Sequence, residues 1–159
     1  MTKRKPDPKL VYVISIGLAL AVGTVSGLVS MGGMKEFAEL KQPPLSPPGW
    51  LFPVVWTILY TLMGISAARV YLANTRETRG ALIFYLIQLL VNALWTPLFF
   101  ELKLRLVAFV WLLLLIILVV KMISDFNKVD KTASYLQIPY VIWLAFAAYL
   151  NLGVFILNN

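Results

Sequence analysis

The sequence predicts an all-α integral membrane protein, one domain over residues 1–159 built as a bundle of five transmembrane helices. Three observations predict it. Hydrophobic residues make up 60% of the chain and mean hydropathy is +0.84, whereas a soluble domain is about 45–50% apolar. Charged residues are only 13% of the total, about half the usual share. The apolar residues fall into five runs, each reaching the roughly 20 residues that cross ~30 Å of hydrocarbon. Runs of that length in lipid must be helices, because every backbone N–H and C=O has to be paired within the segment.

The first run, "LVYVISIGLALAVGTVSGLVSM" at 10–31, follows the basic stretch Lys3, Arg4, Lys5. A secretory signal has an apolar core of about 7–15 residues, and this run continues to Met31, so it is read as a span. The connection 32–49 is the longest. Its "MKEFAEL" suits one or two helical turns, and "QPPLSPPGW" follows. Prolines preset the backbone and limit its freedom. A stiff loop of this kind suits either a lid that loses little entropy when a ligand binds or a plain connection whose prolines end one turn and begin another. The second run, 50–73, carries Pro53 near its start, where a missing N–H matters least. The third, fourth and fifth runs are read at 80–100, 103–123 and 133–157.

Orientation follows from Lys and Arg. The N-terminal tail (Lys3, Arg4, Lys5, Lys9), the 2–3 connection (Arg69, Arg76, Arg79) and the 4–5 connection (Lys121, Lys128, Lys131) hold ten. The other side holds four: Lys35, Lys41, Lys103 and Arg105. The N-terminus is therefore expected in the cytoplasm, with the lid loop and C-terminus on the outer side. The net charge of +7 is explained by this distribution. No nucleic-acid partner is expected, since there is no basic stripe with interleaved aromatics.

Cysteine and histidine are absent, which excludes a disulfide framework, a Cys/His zinc site and the usual haem ligands. No span holds an internal Asp or Glu, and there is no nucleophile–base pair or phosphate loop. Neither a catalytic residue nor a metal site is assigned, and enzyme activity is not the expectation.

The polar and aromatic residues instead form helical faces. Gln88, Asn92, Trp95 and Phe99 share one face of the third run. Amides at membrane depth are costly in lipid, so that face looks inward. Both amides also suit plain helix–helix hydrogen bonding. Phe52, Trp56 and Tyr60 repeat every four residues in the second run, as do Pro139, Trp143, Ala147 and Asn151 in the fifth. Trp50 fits an interfacial anchor, whereas Trp56 and Trp143 lie deeper. Three inward faces, each with a tryptophan, suit either a packed core or an aromatic box for a large flat ligand. Ala19, Gly23 and Gly27, and likewise Gly64 and Ala68, allow close helix approach, within the chain or across a dimer seam.

Three stretches, "PPGWLFPVVWTILY" (47–60), "FYLIQLLVNALWTPLFF" (84–100) and "IPYVIWLAFAAYLN" (138–151), resemble the TspO/translocator protein family. These are the tryptophan-rich sensory proteins of bacteria and their mitochondrial relatives, also called peripheral-type benzodiazepine receptors. The resemblance covers nearly the whole chain. It implies a five-helix bundle, usually a homodimer, in a bacterial membrane, with a pocket beneath the first loop. The ligand implied is protoporphyrin IX or a related tetrapyrrole, with other lipophiles, including benzodiazepine-type ligands, as further partners beside the bilayer itself. No cofactor is implied. Matched to this sequence, the pocket takes Trp56 and Trp143 as aromatic walls. Asn92, Trp95 and Phe99 come from the third helix, Phe52, Tyr60 and Ala147 complete the lining, and Pro47 and Phe37 come from the loop. Phe37 stands where relatives often carry Tyr. A cation such as Lys35 or Lys41 is expected to meet the propionates. The sterol motif expected late in the fifth helix lacks its basic residue after Tyr149. The function implied is a receptor or sensor tied to porphyrin homeostasis. The alternatives are a porphyrin or lipid transporter, and a light- or oxygen-dependent porphyrin-degrading activity.

Overall fold

The computed structural model describes residues 6–159. Lys3, Arg4 and Lys5, which entered the orientation argument, lie outside the described residues. The described chain is helical throughout its spans, with no strand. Its helices are α1 (Pro8–Glu39), α2 (Leu51–Ala73), α3 (Thr78–Phe100), α4 (Arg105–Val129), α5 (Lys131–Tyr135) and α6 (Ile138–Asn158). Five helical stretches are long and apolar enough to cross a membrane, with α5 and α6 together forming the fifth.

The first helix corrects a boundary read from sequence. The segment 32–39 is not part of the loop, because "MGGMKEFAE" continues α1 without a break to Glu39. At about 1.5 Å per residue the 32-residue helix is roughly 48 Å long, well beyond ~30 Å of hydrocarbon. Its last two turns therefore project past the apolar layer, and the loop shrinks to 40–50. The fourth helix likewise runs on to Val129. The fifth span is interrupted at 136–137. Pro139 lacks the N–H that would bond the Tyr135 carbonyl, and it disfavours helical geometry at Ile138. The chain bridges the break with tighter bonds, Gln137 N–H to Ser134 O at 3.1 Å and Tyr140 N–H to Gln137 O at 3.1 Å.

Small residues and buried amides hold the bundle. A Cβ on Gly64 would sit 2.5 Å from Ile16 Cα, and one on Gly23 would overlap the Tyr60 ring. The Ser15 hydroxyl donates to Gly64 O at 2.7 Å. The lower part of α1 is thus pressed onto α2, so these glycines serve packing within the chain. Gln137, in the break before α6, donates to the Ser66 hydroxyl of α2 at 2.7 Å. The Tyr140 hydroxyl donates to Gln88 Oε1 at 2.9 Å, joining α6 to α3. The Trp111 indole donates to Val91 O at 2.8 Å, joining α4 to α3. Such bonds in a membrane average about 0.6 kcal/mol each.

The helix ends pair as the connections require. Arg69 bridges to Asp130 at 2.9 Å, tying the 2–3 end to the 4–5 junction. Lys103 bridges to Glu36 at 2.8 Å, tying the top of α1 to the 3–4 connection. Arg69 itself lies in α2, one turn inside its end, rather than in the connection.

Candidate functional site

Above the Gly23–Tyr60 contact the helices part and enclose a cavity of about 670 Å³. Ligand pockets run from about 300 to 1,000 Å³. All ten residues singled out from the sequence line it: Phe37, Pro47, Phe52, Trp56, Tyr60, Asn92, Trp95, Phe99, Trp143 and Ala147. The four-residue repeats put one side chain per turn on the same wall. Phe52, Trp56 and Tyr60 descend along α2 from the cap, whereas Trp95 and Phe99 rise toward it along α3, and Trp143 and Ala147 along α6.

The aromatic contacts define the shape. Trp56 and Tyr60 have ring centroids 5.5 Å apart. Trp143 meets Phe52 edge-on at 5.9 Å. Trp95 stacks on Phe99 at 5.2 Å with planes 18° apart. Phe37 joins the upper ends of three helices, touching Phe52 at 6.5 Å, Phe99 at 5.7 Å and Phe100 at 5.8 Å. It does so from the extended last turns of α1, not from a loop.

The two amides of α3 separate in role. Gln88 lies one turn below the cavity and is bonded to Tyr140. Asn92 lines the cavity and donates to the Tyr60 hydroxyl at 2.9 Å. The indole nitrogens of Trp95 and Trp143, and Oδ1 of Asn151, are buried without a hydrogen-bond partner among the described residues. A buried N–H left unpaired costs about 1–3 kcal/mol, so both indoles stand ready for an acceptor. Among the described residues no charged side chain lines the cavity. Lys35 and Lys41 do not line the cavity itself but stand at its cap end, next to the lining residues Met34 and Gln42.

Sequence reasoning missed the α1 wall. Leu20, Gly23, Ser26, Gly27, Ser30 and Met34 also face the cavity. The Ala19–Gly23–Gly27 repeat was the available signal. Gly27 differs from Gly23, because a Cβ on it would meet nothing within 4 Å. Asn151, on the same α6 face as Trp143, also lines the cavity and donates to Arg105 O at 2.8 Å.

The cap, residues 40–50, is fastened to α6. Lys41 N–H donates to Asn158 Oδ1, and Asn158 Nδ2 donates back to Lys41 O, both at 2.9 Å. The Tyr149 hydroxyl donates to Pro44 O at 2.7 Å. Pro43 packs on Gly153, where a Cβ would come within 2.6 Å. Ser46 closes a turn through its N–H and hydroxyl, both donating to Pro43 O. Leu45, between the two proline pairs, takes a left-handed φ of 66°, a conformation that strains a side chain with a Cβ.

Comparison with known proteins agrees with this architecture. Residues 15–157 match the family model described as the TspO/MBR family. The chain is 37% identical over 152 residues to the Tryptophan-rich protein TspO of Chlorobaculum tepidum, covering 94% of this chain and 96% of that one. It is 40% identical over 151 residues to Protein CrtK of Rhodobacter capsulatus, covering 93% and 91%. To the Translocator protein of Ovis aries it is 34% identical over 122 residues, covering 75% and 72%. With five membrane-length helices and a family match over nearly its full length, the chain belongs to the TspO/MBR family of integral membrane sensor and translocator proteins.

Proposed function

We propose that this protein is a membrane receptor or sensor that holds tetrapyrroles such as protoporphyrin IX, and other flat lipophilic molecules, in the intramembrane cavity. The observation that carries the reading is the convergence of Trp56, Trp95 and Trp143, from three helices, on one space of about 670 Å³. Indole faces stack on flat π-systems, and their N–H groups reach acceptors on a ligand's edge. The unpaired Trp95 and Trp143 nitrogens supply two such donors. The uncharged lining favours a ligand whose apolar body is buried and whose charged groups stay near the cap.

Placed in a bacterial membrane with the N-terminus in the cytoplasm, the chain presents its cap on the outer side, in line with the ten-to-four distribution of basic residues. A homodimer is part of the same proposal. The test is a thermal-shift assay in detergent. Protoporphyrin IX raises the melting temperature by mass action, and the shift is lost in Trp143→Ala. A wild-type protein whose melting temperature ignores the porphyrin overturns the reading.

A further inference from the structure

The cavity has a wall that the bundle does not close. Low in the bundle α1 is pressed onto α2 at Gly64 and Gly23. Higher up, α1 has swung to α3, where a Cβ on Gly33 would come within 2.6 Å of Phe100 O. At the top, Phe37 reaches Phe52 at 6.5 Å. Between Gly23–Tyr60 and Phe37–Phe52 lies an open seam. Gly27 and Met31 on one side, and Pro53 and Thr57 on the other, line the cavity and are exposed at the outer surface. Met31 is 62% exposed although it faces the cavity.

The seam is bounded by the uncharged stretches of α1 and α2, the part of each helix whose composition suits hydrocarbon. No charged residue occurs between Lys9 and Lys35, nor between Leu51 and Ala68. The exposed hydroxyls at its edge are already silenced, since Thr57 donates to Pro53 O at 2.7 Å and Thr24 to Leu20 O at 2.8 Å, each within its own helix. A helical threonine bonded in this way offers little to water. The cap, in contrast, is held to α6 by Asn158 and Tyr149, and entry over it requires those bonds to break.

We infer that the cavity is loaded sideways, from the bilayer, through the window between α1 and α2, and that its ligands are molecules already dissolved in the membrane. This rests on the reading of the cavity as a ligand site. The fastened cap then acts as a fixed roof, and passage over Gly27, which has no side chain, requires only side-chain movement at Met31 and Thr57.

The test uses the full chain in zwitterionic lipid vesicles carrying protoporphyrin IX in the bilayer, with tryptophan quenching followed in time. Gly27→Leu and, separately, Thr57→Phe narrow the window from opposite helices, so either suffices if the other fails to fold. Each is expected to slow association and dissociation together by about tenfold, with their ratio moved less than about threefold. Asn158→Ala, which unfastens the cap, is expected to leave both rates within about twofold. Faster exchange in Asn158→Ala with unchanged rates in the window variants overturns lateral loading. A wild-type protein with no saturable quenching at all overturns the ligand reading itself, and the window falls with it.

Discussion

Asn92 donates a 2.9 Å hydrogen bond to the Tyr60 hydroxyl at the deep end of the cavity, joining α3 to α2 where both are buried. Asn92→Ala leaves that hydroxyl without its donor and is expected to destabilise the bundle by about 1 kcal/mol. Tyr60→Phe is expected to cost a similar amount. The double variant should cost less than the sum, because the two residues share one interaction. Unfolding titrations in mixed micelles measure all three, and strict additivity would contradict the coupling.

The glycines of α1 and α2 predict opposite outcomes. Gly64→Val places a side chain against the Ile16 backbone and should cost about 1–3 kcal/mol. Gly27→Ala meets open space and should be neutral, or stabilising by up to about 1 kcal/mol through helix propensity. Thermal unfolding of the pair decides it. Equal losses would mean that α1 packs on α2 along its whole length.

Asp130 predicts a pH dependence. Burial by itself raises its pKa, but the Ala133 N–H and the Arg69 guanidinium more than reverse this and hold the carboxyl below its ordinary 3.8. A depressed folded-state pKa stabilises fully above the unfolded value and is lost as pH falls through the folded one. Stability should therefore drop below about pH 4, and Asp130→Asn should flatten that drop. Asparagine still caps a helix, so the substitution keeps the bond to Ala133 N–H and removes only the charge. An unchanged acid limb in Asp130→Asn would place the titration elsewhere.

The cap predicts a local effect. Asn158→Ala removes the reciprocal bonds to Lys41 and should raise protease cleavage and amide exchange across residues 40–50, with little change in global unfolding. Protection that stays at the wild-type level would show that Tyr149 and Gly153 hold the cap unaided.

Much of this architecture is legible in the sequence because lipid imposes few solutions. Hydropathy locates the spans, and period-four aromatics identify the walls on α2, α3 and α6. Phe37 and Pro47 enter through family resemblance alone. The continuation of α1 to Glu39 is hidden, since Lys35, Glu36 and Glu39 end the hydropathy signal while remaining good helix formers. The division of labour between Gln88 and Asn92 depends on which helix each amide meets, which spacing on α3 does not specify. Gly23 and Gly27 look alike in sequence. They diverge because α1 crosses from α2 to α3 between them, and a crossing angle is a property of two helices.

The central claim is that the indoles of Trp56 and Trp143 bound a single ligand-sized space. A variant with Trp50, Trp95 and Trp111 changed to Phe retains only those two of the five tryptophans. Titrated with protoporphyrin IX, it should show saturable, near-complete quenching with one site per chain. Unquenched emission from that variant, alongside quenching in one that retains only Trp50 and Trp111, would place the porphyrin outside the cavity and contradict the account.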